Sequence, residues 1–163
     1  MDMEKKYGFT DEMKAYGDIM LRRIVALRDF GDVKAGDKGG WIEKEENLSQ
    51  DGDAWVCGNA RVCDDARVCD DARVCGDARV CGNAQVCGNA QVTSTSDYIV
   101  FKNFWSSGRY FTYTFSNRMW KVGCFYGTGE ELIRKAYADS EDSGWHYEQA
   151  VRYAEAAERR RKK

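Results

Sequence analysis

The chain has 163 residues, a mass of 18.6 kDa and a formal net charge of −2, enough for one domain with small appendages and a core that hides roughly 70% of the unfolded surface. Hydrophobic residues at 43% and charged residues at 32% exclude a disordered chain, and the near-neutral balance removes bulk basicity as an argument for nucleic acid. The sequence holds no run of about 18 apolar residues to cross a membrane, and its charged opening, MDMEKKYGFTDEMK, lacks the apolar stretch of a secretory signal, so a cytoplasmic location is expected.

In chain order, YGFT (7–10) and MLRRIVALRDF (20–30) have aliphatic centres with polar edges and predict a small hairpin or meander. GDVKAGDKGGWIE (31–43) is rich in Gly and Asp and reads as the entry to a repetitive tract. From residue 54 to 93 the sequence repeats with a period of six: Ala at 54, 60, 66, 72, 78, 84 and 90, and Val two places after each. A helix of 3.6 residues per turn would smear these columns around its cylinder. A strand puts Ala and Val on one face and the intervening Arg or Gln, with the following Cys, on the other. The Gly-Asn, Gly-Asp or Asp-Asp pair then breaks each strand at a corner. Strands of about four residues alternating with corners coil and stack. Stepping back by six from Ala54 gives Leu48 and Ile42, an imperfect first coil that brings the total to about three. So short a tube has two raw ends, and each needs a cover.

Residues 98–126 are aromatic-rich and predict a three-stranded meander, YIVFKNFW, RYFTYTFS and MWKVGCFY. Alternation puts Tyr110, Thr112 and Thr114 on one face and Phe111, Tyr113 and Phe115 on the other, so one face can cover the tube and the other can receive a helix. Thr128 and Glu131 form a capping-box signature ahead of a short helix over 131–138. DSEDSG (139–144) reads as a polar loop, Trp145 to about Arg159 as a second helix, and RRRKK (159–163) as a basic tail.

The repeat resembles the hexapeptide-repeat left-handed parallel β-helix family. That resemblance implies three hexapeptides per triangular coil, residues about 18 apart in register, Val inside, Ala near the corners, left-handed winding and frequent trimers. Across LRRIVALRDFGDVKAGDKGGWIE, the repeat and GRYFTYTFSNRMWKVGCFYGTGEEL, the chain also resembles small phage- or prophage-encoded proteins with this arrangement. The expected fold is mainly β: an N-terminal β cap (1–35), a short left-handed parallel β-helix (36–95) and a C-terminal α+β domain (96–163).

At 18 residues per coil, Cys57 lies under Cys75, Cys63 under Cys81 and Cys69 under Cys87. Strand spacing suits the Cα separation of a disulfide, but parallel Cβ vectors and a reducing cytosol argue against bridges. The C-x5-C spacing without a nearby His argues against zinc. An exposed thiol ladder is expected, beside solvated columns such as Arg61 with Arg79 and Asp65 with Asn83. Cys124 reads as a small buried residue.

Acyl transfer, the best-known chemistry implied by the hexapeptide resemblance, uses a His of the coil region as general base. Here the only His is His146, outside the repeat, and the repeat carries no inserted loop. The leading expectation is therefore no enzyme. It is a phage-type binding protein, with the tube as scaffold or oligomerisation surface and the C-terminal domain as recognition module, which could antagonise a host defence. An acyltransferase-like enzyme and a structural virion accessory are the alternatives. SSGRYFT (106–112) offers an anion cradle, and the candidate binding residues are Ser107, Arg109, Tyr110, Thr112, Trp120 and Lys121, with Trp105, Tyr110 and Trp120 able to stack on a base. No catalytic residue, metal or cofactor is expected. The partners expected are a host protein or a small phosphorylated ligand, and self-association, without membrane or nucleic acid.

Overall fold

A computed structural model describes residues 5–162. The strand β1 (Tyr7–Tyr16) turns back through Gly17, at φ +62°, into β2 (Ile19–Ala26), and β2 pairs antiparallel with β3 (Lys38–Ile42). β3 is shared: its other edge runs parallel to the first repeat strand of its face. Cap and tube are thus one continuous sheet through this strand.

The repeat folds as short parallel strands: β4 (Trp55–Val56), β5 (Arg61–Val62), β6 (Arg67–Val68), β7 (Arg73–Val74), β8 (Arg79–Val80), β9 (Gln85–Val86) and β10 (Gln91–Val92). They sort onto three faces, β3-β5-β8, β4-β7-β10 and β6-β9. Partners within the repeat are 18 residues apart, Val56 on Val74 on Val92, Val62 on Val80 and Val68 on Val86. The repeat Val and Ala residues are fully buried and form one core. The strands span two residues, not four, because each corner takes the rest. The Ala amide bonds to the carbonyl of the Cys three places earlier, as in Ala60 to Cys57 (3.2 Å). The first corner residue is left-handed, and where Gly is absent Asp64 and Asp70 take that geometry at φ +59° and +60°. Each then accepts a bond from the coil above, Gly82 N to Asp64 Oδ2 (3.0 Å) and Gly88 N to Asp70 Oδ2 (2.9 Å).

The first coil departs from the counting by sixes. Ile42 pairs with Val62 and Leu48 with Val68, so both occupy the Val column rather than the Ala column. The extra length between Leu48 and Val56 is taken by the Ser- and Asp-rich bend over 49–53. Asn47 underpins this coil: it is fully buried, its Oδ1 accepts from the amides of Glu43 and Lys44, and its Nδ2 donates to the carbonyls of Asp64 and Ala66.

The two end coils have no coil beyond them to pair their outward backbone groups. Within the stack the coils bond to one another through their backbones, as in Arg61 N to Ala78 O (2.9 Å). The outward groups of the last coil include both amides and a carbonyl, that of Arg79, which accepts from Tyr98 Oη (2.8 Å). At the first end Lys6 Nζ donates to Ala54 O (2.7 Å) and Tyr7 Oη to Leu48 O (2.7 Å), while β2 covers the third face. At the last end three hydroxyl oxygens accept, one per face: Thr95 Oγ1 from Arg79 N (3.3 Å), Thr112 Oγ1 from Gln85 N (2.9 Å) and Ser116 Oγ from Gln91 N (2.8 Å).

Thr112 belongs to the C-terminal sheet, whose order is β11 (Tyr98–Lys102), β12 (Tyr110–Thr114), β13 (Met119–Val122) and β14 (Phe125–Gly127), all antiparallel. It has four strands, not three, because Gly123 at φ +56° folds MWKVGCFY back on itself. α1 (Gly129–Asp139) starts at the Thr128–Glu131 capping box, Glu131 N to Thr128 Oγ1 (3.2 Å) and Thr128 N to Glu131 Oε1 (2.8 Å). α2 (Glu141–Arg161) follows after Ser140 alone. The segment expected to be a polar loop is an N-cap and an acidic first turn, with Ser140 Oγ accepting from Ser143 N (3.0 Å). Both helices pack on the sheet face that carries Phe111, Tyr113 and Trp120. The expected basic tail is the last turn of α2, and Arg161 turns back to Asp97 (2.8 Å) and over the Phe115 ring (4.3 Å). Lys163 lies outside the described residues.

Burial pushes the Lys6 ammonium down from 10.5 to about 8, against the pull of Asp53. Between those values the folded chain binds fewer protons than the unfolded one, so stability rises with pH through that window, and the full cost of burying the charge is present below it. Lys6→Met removes the donors and keeps the stem, and the expected loss is about 1–3 kcal/mol in urea unfolding at neutral pH. The wild-type margin over this variant should grow between pH 8 and about 9.5, by no more than about 2 kcal/mol. A margin that stays flat or shrinks would contradict the assignment.

Candidate functional site

The loop between β11 and β12, the turn before β14, the end of α1 and the start of α2 enclose a cleft of about 460 Å³. The loop is held by its own backbone: Asn103 N donates to Arg109 O (2.7 Å) and Gly108 N to Asn103 O (2.8 Å), with Gly108 at φ +74°. Ser107 Oγ accepts from Arg109 N (3.2 Å). These bonds place Ser106, Ser107 and Arg109 on the cleft wall, opposite Lys135 and Ser143 from the two helices. The Arg109 guanidinium lies where a side chain at position 123 would stand, so Gly123 makes room for it. Among the described residues neither Arg109 nor Lys135 has a carboxylate partner. Asn103 is 6% exposed. Its Nδ2 donates to Tyr147 Oη (3.0 Å), and its Oδ1 is buried with no partner among the described residues. Burial raises the Tyr147 phenol above its ordinary value, while the Asn103 bond and the Arg109 charge oppose the shift.

The six residues expected to bind a ligand do not converge on one place. Ser107 and Arg109 line the cleft. Tyr110 lines a second groove against the tube, with Arg67 and Gln85, which Arg109 also borders, and Lys121 lines another, with Cys69 and Cys87. Thr112 is buried and committed to the Gln85 amide. Trp120 is buried in the aromatic core, so it offers no stacking face. Trp105 is already stacked, ring on ring, against His146 at 4.4 Å. Sequence reasoning passed over Asn103, Lys135 and Ser143. The misread start of α2 hid Ser143, and nothing in the sequence signals the Asn103 orphan.

His146 sits in the second turn of α2, its Nε2 3.7 Å from Asp142 Oδ1 and its ring flanked by Trp105, Phe104 and Trp145. Cys124, expected to be buried, is an exposed free thiol on the cleft wall.

The cysteine column stacks in the expected pairs but is not an exposed thiol ladder. Cys57–Cys75 and Cys69–Cys87 are disulfides, with Cα separations of 4.6 and 4.8 Å. In-register stacking supplies the Cα distance, and the side chains turn toward each other. Cys63 and Cys81 are reduced, with sulfurs 2.7 Å apart. Their hydrogen-bonded contact pushes the Cys63 thiol up and holds Cys81 down. Asp64 adds a carboxylate within 4.8 Å of both sulfurs. Three ligands fall short of a closed zinc site, and Asp64 Oδ2 already accepts from Gly82 N.

The architecture defines a hexapeptide-repeat β-solenoid. The repeat family described as YdcK Beta solenoid repeat matches residues 60–76, 66–82 and 72–88. The chain is also similar to a protein of Escherichia coli (strain K12) named "Uncharacterized acetyltransferase YdcK", 38% identical over 60 residues, which is 32% of this chain and 18% of that relative. The chain therefore spans under a fifth of the relative's length. This likeness overturns the expectation of a non-enzymatic phage-type binding protein acting on a host defence: the named relative is called an acetyltransferase. The single His outside the coil was given too much weight, since it bears on this chain's own residues and not on the kinship of its frame.

Thiol titration checks the cysteine pattern. Cys124 should react at once, half-buried Cys81 more slowly, Cys63 only on unfolding, and the remaining four only after reduction. Cys57→Ser should lower unfolding stability by about 3 kcal/mol, the value for a loop of this length. Immediate reaction of all the sulfurs would contradict the bridges.

Proposed function

We propose that the chain is an acyltransferase-like hexapeptide-repeat protein, passing an acyl group from a thioester donor to an amine or hydroxyl. The observation that carries this reading is the 38% identity over 60 residues with the relative called an acetyltransferase. On the same repeat resemblance, the tube is taken to wind left-handed.

His146, the only imidazole of the sequence, is the general base in this reading. The acceptor attacks the thioester carbonyl and His146 takes its proton. The carbon–sulfur bond then breaks, and the imidazolium returns the proton to the departing thiolate. Asp142 near Nε2 steadies the imidazolium, which leaves Nδ1 for the acceptor. The stack on Trp105 holds the ring plane.

The test supplies acetyl-labelled coenzyme A with a panel of amines and hydroxyl compounds, and detects acetylated product by mass spectrometry. Wild-type protein should form product, and His146→Ala should lower its rate about 100-fold or more. No product with any acceptor would overturn the reading. Full activity in His146→Ala would remove the role given to that residue.

A further inference from the structure

We propose that the cleft among β11, β12 and the two helices binds a phosphorylated nucleoside, and that it does so independently of acyl transfer. The phosphate end follows from unused charge. Arg109 and Lys135 line the cleft without carboxylate partners among the described residues, and Ser106, Ser107 and Ser143 bring hydroxyls to the same wall. Asp139 also lines it, so these three side chains leave one net positive charge. The start of α2, a helix of 21 residues, adds the positive end of its dipole beside Ser140 and Ser143. An arginine with flanking hydroxyls and helix amides is the usual equipment for a phosphate monoester.

The second half of the ligand follows from Asn103. A buried amide oxygen without a donor costs about 1–3 kcal/mol, and Asn103 Oδ1 is such an atom in a side chain 6% exposed on the cleft wall. Its other amide atom is fixed by Tyr147 Oη (3.0 Å), and Asn103 lines the cleft, so a donor on a ligand seated there would satisfy the oxygen. Val122, Phe125, Leu132 and Ala136 give the remaining wall an apolar strip. A ligand that fills these requirements carries a phosphate, an apolar planar body and an N–H or O–H donor. The volume of about 460 Å³ accommodates a mononucleotide.

The test is calorimetric titration of the full chain with adenosine 5′-monophosphate, adenosine and inorganic phosphate, alongside alkylation of Cys124, which stands on the same wall. The monophosphate should bind saturably, more tightly than either fragment, and slow the alkylation of Cys124. Arg109→Ala and Lys135→Ala, both exposed positions, should each weaken binding about tenfold with the fold intact by circular dichroism. No saturable binding, affinity no better than that of inorganic phosphate, or affinity unchanged in both variants would overturn the proposal. Absence of acetyl transfer by the wild-type chain with nucleotide binding intact would count only against the acyl-transfer reading.

Discussion

A stack of parallel coils cannot satisfy its own ends. Every inner coil bonds to a neighbour above and below, but the first and the last each present backbone groups with no coil beyond them. The rest of this protein supplies the missing partners. A buried ammonium and a phenol donate to carbonyls of the first coil. At the last, threonine and serine oxygens accept from three amides and the Tyr98 hydroxyl donates to the Arg79 carbonyl. A lost partner at either end would strand a buried backbone group, which is more damaging than any single surface contact. This explains why a residue as costly to bury as Lys6 stands fully inside the molecule.

The terminal cover then does more than close the tube. Thr112 faces the last coil, while Phe111 and Tyr113, on either side of it, face the helices. One strand therefore serves two cores, and the alternation of a single β-strand sets both the seat of the domain and the floor under α1 and α2. The cleft lies at the far rim of that sheet, where β11 ends and the start of α2 comes alongside the 103–109 loop. Aromatic packing of Trp105 against His146 and Tyr147 ties the loop to the helix. The loop is thereby rigid enough to leave Asn103 with an unanswered oxygen.

Much of the tube was legible in the residues, because a period of six has one geometric answer and the Ala and Val columns state which way each residue points. The 18-residue stacking of the cysteines came from the family resemblance. What counting missed lay where the repeat is broken: the extra residues between Leu48 and Val56, which move Ile42 and Leu48 to the other column, and the oxidised pairs, which depend on side-chain rotation rather than spacing. The C-terminal part was legible as alternating aromatics and a capping box. Ser140 and Gly123 were undervalued as a helix start and a hairpin turn, which cost a strand and the first turn of α2. The candidate site was half legible. Arg109 and Ser107 belong to one conspicuous segment, whereas Asn103 and Lys135 meet them only through tertiary folding. Trp120 and Thr112 carried the right chemistry on two neighbouring strands where both positions were already occupied.

Three equivalent faces give the repeat a further property. Each face ends in the same kind of backbone amide, beside an Arg or a Gln and one residue before a Val. One added hexapeptide would carry the C-terminal domain a third of a turn around the axis and still offer it donors of the same kind. Three would restore its bearing and only lift it by a strand spacing. The number of hexapeptides therefore acts as an index that fixes the compass angle between the two ends of the molecule, and lineages that gain or lose units would re-aim the cleft without redesigning either end.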